Sequence, residues 1–571
     1  MSSKNANPEF LAHLGAIPAA EGGTEIAALG RTLGPGTLAH LEAVVSAGLL
    51  PKDQACKWWA DGLGLAYVDV AASVVTDQAV ALIPLEIAQK LQAIGLYVVD
   101  DVLTVALAQP AEADLVRRLQ RIIQVPVSPV FGYPADIAGA IAIHYCTESS
   151  LQDSLGLLMH HSCLLLDGQG EPNLEAVAES EPLARVLEEI LYHALRERAT
   201  DIHVEAGKRE SRIRFRVDGN LRLIARYPRK LHRALITRFK VLCNLNIAET
   251  RFPQDGSFSV PVGTSQASFR LSTIPSLYGE KAMVRLLTQA ARQRTQNLEE
   301  MLMAQPVLQP FRQILRNASG IVFVTGPTGS GKTTTLYAGL AEINDPKINI
   351  CTIEDPIEIP LGGLTQSQVN THIDLKFATL LRSLLRQDPD VILVGEIRDA
   401  ETARIATEAA LTGHLVLATL HTINAPQAIT RLVDLGVEPY LVAPSVSGVL
   451  AQRLVARICS KCREPYQPDR EVLLRYFEEE EGLAEVPFYR GRGCAHCRGT
   501  GYHGRVAIHE LVLVTDEIRQ LITEGRSAQD ITRAAARMGY RPMRYDGLRK
   551  VLMGLTTIEE VETGTTFEWS G

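Results

Sequence analysis

The chain has 571 residues, 46% of them hydrophobic, 21% charged and 5% aromatic, with a formal net charge of −8. That length exceeds what one hydrophobic core organises and points to about three or four domains, and the acidic balance excludes a chain that is basic throughout, as many nucleic-acid binders are. No run of about 18 apolar residues occurs, so no membrane-spanning helix is expected; the opening MSSKNANPEF lacks the basic-then-apolar pattern of a secretory signal, and a cytosolic protein is expected.

Residues 1–35, rich in Gly, Ala and Pro, show little periodicity and are expected to be loose. From 37 to 145 short helical patterns alternate with apolar runs. LYVVDDVLTVAL reads as two strands about an Asp100-Asp101 turn, and ADLVRRLQRII as a helix. Residues 1–146 are thus expected to form a small α/β or α+β module, regulatory or platform-interacting, and the mixed, polar residues 147–178 a linker. A second domain, 179–290, opens with the amphipathic helix PLARVLEEILYHALRERA and continues in the strands DIHVE and RIRFRVDG. Strand alternation puts Arg212, Arg214 and Arg216 on one face and Ile213, Phe215 and Val217 on the other. Such an arginine face is either a solvated sheet surface or one that meets anions. The polar stretch TQAARQRTQNLEE leads into a third domain, 300–571.

There the chemistry concentrates. IVFVT is a β-branched strand, GPTGSGKT fits G-x-x-x-x-G-K-[ST], and TTTLYAGLAEI continues as a helix. This strand–loop–helix context is that of a P-loop, whose backbone amides and helix N-terminus close around phosphates. The candidate nucleotide-binding residues are Gly326, Pro327, Thr328, Gly329, Ser330, Gly331, Lys332, Thr333 and Thr334. Lys332 is expected to reach the β/γ-phosphates and Thr333 to hold Mg²⁺ through its hydroxyl. INICTIEDPIE is a strand ending in the acids Glu354, Asp355 and Glu358, and VILV leads to Glu396. Acids at strand carboxyl ends lie where α/β sheets bind ligands; one carboxylate can orient the attacking water while another helps to hold Mg²⁺. The strand LVLATL lies between His414 and His421, which could touch the γ-phosphate or report its loss.

Five of the nine cysteines, Cys56, Cys146, Cys163, Cys243 and Cys351, are scattered and read as small buried hydrophobes. The other four form Cys459-x-x-Cys462 and Cys494-x-x-Cys497, with 31 residues between the two pairs. Two such pairs give a closed, structural Cys₄ zinc site, here in a small inserted lobe at about 455–512.

Over about residues 180–565 these segments resemble the secretion ATPases of the GspE/PilB type, which power type II secretion and type IV pilus assembly. GPTGSGKTTTLY is similar to that family's Walker A, TIEDPIE to its aspartate box, LRQDPDVILVGEIRDAETA to its Walker B and TGHLVLATLHT to its histidine box. DIHVE, RFRVDG, RFPQDG and GEKAMVR are similar to its arginine-bearing segments. The resemblance implies an α/β chain whose RecA-like P-loop ATPase domain follows a smaller α+β, PAS-like domain and an N-terminal α/β module, with the Cys₄ zinc lobe inserted in the C-terminal domain. It implies ATP, Mg²⁺ and Zn²⁺, and a homo-hexamer at the cytoplasmic face of the inner membrane. The implied partners are a platform protein and the ring or tether proteins of a pilus or secretion system, with no nucleic acid and no membrane span. It assigns Glu354 to the attacking water and Glu396 to water-mediated Mg²⁺ binding, and makes Arg214, Arg216, Arg251, Arg270 and Arg285 candidate phosphate contacts, in cis or from a neighbour. Two positions depart from the family pattern: Ile423 stands where Asn is common, and Ser257 where Arg is common. The N-terminal module has the family's flavour in SAGLLPKDQACKWWADGLGLAYVDV. It lacks the spaced R-L-G opening and terminal Gln by which some members bind cyclic di-GMP, so that ligand is not expected.

The alternative is a nucleic-acid-translocating P-loop ATPase that uses the Cys₄ lobe for binding; the acidic charge and the lack of aromatic-basic clusters oppose it. A scaffold in which ATP only sets shape is opposed by the intact Lys332, Thr333 and Glu396.

Overall fold

Alternating and continuous apolar runs become two kinds of sheet. The computed structural model describes residues 7–18, 22–109, 113–146, 150–158, 180–287, 297–370, 373–477, 487–494 and 496–565, divided into one unit of Met1–Ala291 and another of Arg292–Gly571.

In the first unit, residues expected to be loose are largely helical: Pro8–Gly15 and Gly23–Leu33 are helices. Asn7 caps the first, accepting from the Phe10 amide and donating to the Trp59 carbonyl, while Phe10, Leu14 and Ile26 are buried against Leu41 and Trp59. The small-residue composition hid an i, i+4 apolar pair and a cap whose second partner is 52 positions away. Strands β1 (Ala93–Val99) and β2 (Val102–Leu107) pair antiparallel, and β3 (Val127–Phe131) joins β2 in parallel. Asp100 and Asp101 both take positive φ, 49° and 60°, as the favoured two-residue hairpin turn requires.

A six-stranded antiparallel sheet follows, built from β4 (Asp201–Glu205), β5 (Glu210–Val217), β6 (Asn220–Pro228), β7 (Gln254–Val262), β8 (Ser265–Ile274) and β9 (Lys281–Leu286). Its order is β6-β5-β4-β9-β8-β7. One face, with Ile202, Ile213, Phe215, Phe269 and Val284, packs on Leu187 and Ile190 of the helix Glu181–Arg196 and Phe239 of the helix Arg229–Leu242. The other face carries the arginines. Within the linker expected at 147–178, residues 150–158 are helical and bury Leu151, Leu155 and Leu158 in this same core. Residues 147–149 and 159–179, with Cys163, lie outside the described residues, as do 288–296 of the polar stretch before the third domain.

The second unit is a seven-stranded sheet of β10 (Gly320–Thr325), β11 (Ile350–Glu354), β12 (Thr365–Gln368), β13 (Val391–Val394), β14 (Leu415–Leu420), β15 (Val446–Ile458) and β18 (Tyr502–Leu513). Between β15 and β18 the chain forms a two-stranded hairpin of β16 (Arg463–Tyr466) and β17 (Phe488–Gly491). The sheet order is β12-β11-β13-β14-β10-β15-β18, parallel except for the antiparallel β15–β18 edge. β10, β13 and β14 are buried at every position, the continuous apolar signature of parallel strands covered on both faces.

Candidate active site

The parallel strands end along one edge, and the glycine loop springs from β10 there. Gly326 and Gly331 have φ of 148° and 87°, backbone states that only glycine adopts at little cost. A Cβ on Gly326 would meet the Gln452 carbonyl at 2.3 Å, and one on Gly331 the Gln452 amide nitrogen at 2.8 Å. The loop is thus pressed against β15. Gln452 is fully buried, donates to the Ser330 carbonyl at 2.7 Å and accepts from the Thr335 hydroxyl at 2.6 Å. The sequence signal for Gln452 was a lone amide inside the apolar run VSGVLAQRLVARI. Gln452→Ala takes the donor from the buried Ser330 carbonyl and leaves the Thr335 hydroxyl only its 3.3 Å bond to the Gly331 carbonyl, and is expected to weaken ATP binding by about tenfold, with a smaller change in kcat; titration with a fluorescent nucleotide checks this.

Lys332 opens the helix Lys332–Ile343, is 9% exposed, and donates Nζ to the Gly326 and Pro327 carbonyls at 3.0 and 3.1 Å. Burial lowers its pKa, while the Glu396 charge acts the other way. Thr333 is half-buried and Pro327, Thr328, Gly329 and Thr334 are exposed. Ser330 Oγ is buried with no hydrogen-bond partner among the described residues. A glycine loop at a helix N-terminus, a buried cation and an orphaned hydroxyl fit a phosphate group.

Glu396 follows β13. Its carboxylate pairs with Arg398 and lies 3.2 Å from His421 Nε2, so the acid after β13 and the histidine after β14 meet. Thr422 bonds Thr325, the last residue of β10, at 2.7 Å between hydroxyls, and Asn424 caps the helix Ala425–Asp434. Ile423, the departure in this loop, is 45% exposed. Glu354 ends β11 with its carboxylate buried. His414, expected beside the phosphate, stands at the opposite end of β14, next to Gly320. Its Nδ1 lies 2.9 Å from the Ala409 carbonyl. Six strand residues span about 20 Å, so His414 does not reach the loop of its own chain.

The five candidate arginines, Arg214, Arg216, Arg251, Arg270 and Arg285, lie in the first unit and the loop in the second. One cross-strand row on the polar face of the six-stranded sheet runs Arg216, Asp201, Arg285, Arg270, Ser257. Asp201 lies 3.8 Å from Arg216 and 2.9 Å from Arg285. The neighbouring Glu205 takes Arg212 and Arg214 at 2.7 Å and Lys281 at 3.2 Å. Burial acts against that carboxylate, but these donors outweigh it and hold it down at about 2. Arg270 is exposed and makes no ion pair among the described residues. Arg251 lies apart, on the loop before β7, paired with Glu249 at 2.7 Å.

The Cys459, Cys462, Cys494 and Cys497 sulfurs all lie within 4.8 Å of one another. Cys459–Cys494, Cys462–Cys497 and Cys494–Cys497 measure 3.9, 3.7 and 3.8 Å. These separations are too long for disulfides. Four thiolates about 2.3 Å from one ion form a tetrahedron with edges of about 3.8 Å, and the cluster has that shape. Burial acts against the Cys497 thiolate, but the Cys494 and Gly501 amides donate to it, each at 3.2 Å, and bring its thiol down to about 6. Of the scattered thiols, Cys56, Cys146 and Cys351 are buried and Cys243 half-buried.

Residues 176–563 match the type II/IV secretion system protein family, and residues 63–151 the MshEN domain. The type II secretion system protein HxcR of Pseudomonas aeruginosa is 50% identical over 381 residues, covering 66% of this chain and 76% of that protein. The type IV pilus assembly ATPase PilB of Myxococcus xanthus is 37% identical over 527 residues, 92% of this chain and 93% of that one. Among solved structures, the ATPase DotB of Yersinia pseudotuberculosis has a TM-score of 0.50 at 20% identity, covering 68% of this chain and 95% of that one. At that identity the likeness speaks for the fold alone.

Proposed function

This chain belongs to the type II/IV secretion system protein family, and from that premise we propose that it hydrolyses ATP as the motor of a type IV pilus assembly or type II secretion system. The observation that carries the reading is the buried Lys332 at the glycine loop with Glu396 and His421 at the same sheet edge. In this reading the loop amides and Lys332 would hold the β/γ-phosphates, and Thr333 and Glu396 would hold Mg²⁺. Glu354 orients the attacking water. When bound, Mg²⁺ supplies charge neutralisation on the phosphates; the residues themselves position and exclude.

The finer organisation is proposed on the same footing. β14 stands between the loop strand β10 and the acid-bearing β13, an order that supports a RecA-like ATPase domain. The central pairing of β4 with β9 supports a PAS-like reading of the six-stranded sheet. The exposed Arg270 and the ion-paired Arg214, Arg216, Arg251 and Arg285 act as phosphate contacts, in cis or across the subunits of a hexameric ring. Cys459, Cys462, Cys494 and Cys497 hold Zn²⁺ that staples a lobe engaging an inner-membrane platform protein, and ring or tether proteins keep the hexamer at the cytoplasmic face. No helix among the described residues is long and apolar enough to cross a membrane.

The test is hydrolysis by the full chain with either the cytoplasmic domain of a platform protein or DNA added. Stimulation several-fold by the platform domain and none by DNA is expected. Stimulation by DNA alone would replace this reading with nucleic-acid translocation.

A further inference from the structure

Resting on the reading of Glu354 as the acid that orients the attacking water, we propose that Tyr337 is its positioning residue. The phenol holds the carboxylate back inside the sheet and sets how often it comes within reach of water.

Glu354 is 3% exposed and its carboxylate is engaged on both oxygens. Oε1 accepts from the Thr352 hydroxyl at 2.6 Å and the Gln366 amide at 3.1 Å, and Oε2 accepts from the Tyr337 phenol. These donors differ in what they are attached to. Thr352 is on β11 with Glu354 itself, and Gln366 is on the adjacent β12 in register with Thr352. Both therefore move with the acid. Tyr337 is on the helix Lys332–Ile343, which begins at the phosphate loop. Thr333 and Tyr337 are one helical turn apart, about 6 Å along a rigid element, so a shift that brings Lys332 and Thr333 onto phosphate carries the phenol with it. It is the donor that such a shift can separate from the carboxylate.

With all three donors in place the carboxylate is held inside the sheet. Burial, and then the bond to Glu354, push the Tyr337 phenol well above the ordinary tyrosine range, which keeps it a donor. Tyr337 is itself buried, and nothing in its position touches the phosphate loop's own hydrogen bonds. It acts through Glu354.

The experiment is steady-state ATP hydrolysis by the full chain carrying Tyr337→Phe, Glu354→Gln, or both, with thermal melting alongside. Tyr337→Phe removes one oxygen and keeps the ring. It is expected to raise kcat by about tenfold, the population ratio that a hydrogen bond to a charged group can hold, with KM for ATP unchanged. Glu354→Gln is expected to be inactive, and the double variant equally inactive. Tyr337→Met, which fills the space without a donor, must give the same rise, so a folding defect in one variant does not decide the matter. Turnover retained in Glu354→Gln overturns the role of the acid and the reading beneath it. An inactive Glu354→Gln together with unchanged or reduced kcat in both Tyr337 variants overturns the positioning role alone.

Discussion

Lys332→Ala is expected to lower ATP turnover by about a thousandfold, the scale of removing one preorganised charge from a phosphoryl-transfer site. Nζ is held at 3.0 and 3.1 Å from two loop carbonyls, Gly326 and Pro327, in a position that burial makes costly for a charge. Such a cation is worth keeping only where negative charge is to be met. Besides these two bonds, the glycines at 326 and 331 and the Gln452 clamp shape the loop backbone. Alanine should therefore leave melting behaviour close to the parent's while hydrolysis fails. A coupled assay of phosphate release at saturating Mg·ATP checks this. Turnover within a few-fold of the parent would remove this loop as the reaction site.

Loss of the four-sulfur cluster is expected to act on a different part of the molecule. Purified protein should contain about one zinc per chain by elemental analysis. Chelation, or Cys494→Ser, should open the hairpin β16–β17 and the glycine-rich turn before β18, seen as faster amide exchange there. The lobe's apolar core is thin. Leu473 and Phe488 are buried with Val551, Ile558 and Val561, which belong to C-terminal helices. A metal site contributes folding free energy directly where a core is this small. ATP binding should survive, because the glycine loop hangs from β10 and is buttressed by the central strands. Absence of zinc with unchanged exchange in Cys494→Ser would mean the four thiols are not a metal site.

The sequence disclosed those parts of the site that are local. Gly326 to Thr333 lie on one turn and one helix start, so residue type and spacing specify their geometry. The strands β10, β13 and β14 were readable because burial on both faces leaves an uninterrupted apolar run. The Asp100-Asp101 turn was readable because its chemistry is confined to two residues. What escaped depends on contacts between distant segments. Tyr337 and Glu354 are 17 residues apart, and Gln452 and Ser330 are 122 apart. Neither pairing leaves a periodic trace. His414 was misplaced because a motif names both ends of its strand, whereas a parallel sheet presents only one end to the ligand.

Ile458 and Tyr502 are partners in the β15–β18 ladder, so the whole lobe leaves and re-enters the sheet across a gap of about 5 Å, one strand spacing. Topologically it is an extension of a hairpin loop. Shortening it to a tight turn would disturb no strand order and no crossover. What ties it to the rest is side-chain area: Val551, Ile558 and Val561 would be laid bare. The lobe is thus a graft whose splice points are free and whose footprint on the C-terminal helices has to change with it. A lineage that gains or discards it must rewrite the surface of those two helices and can leave the nucleotide edge untouched.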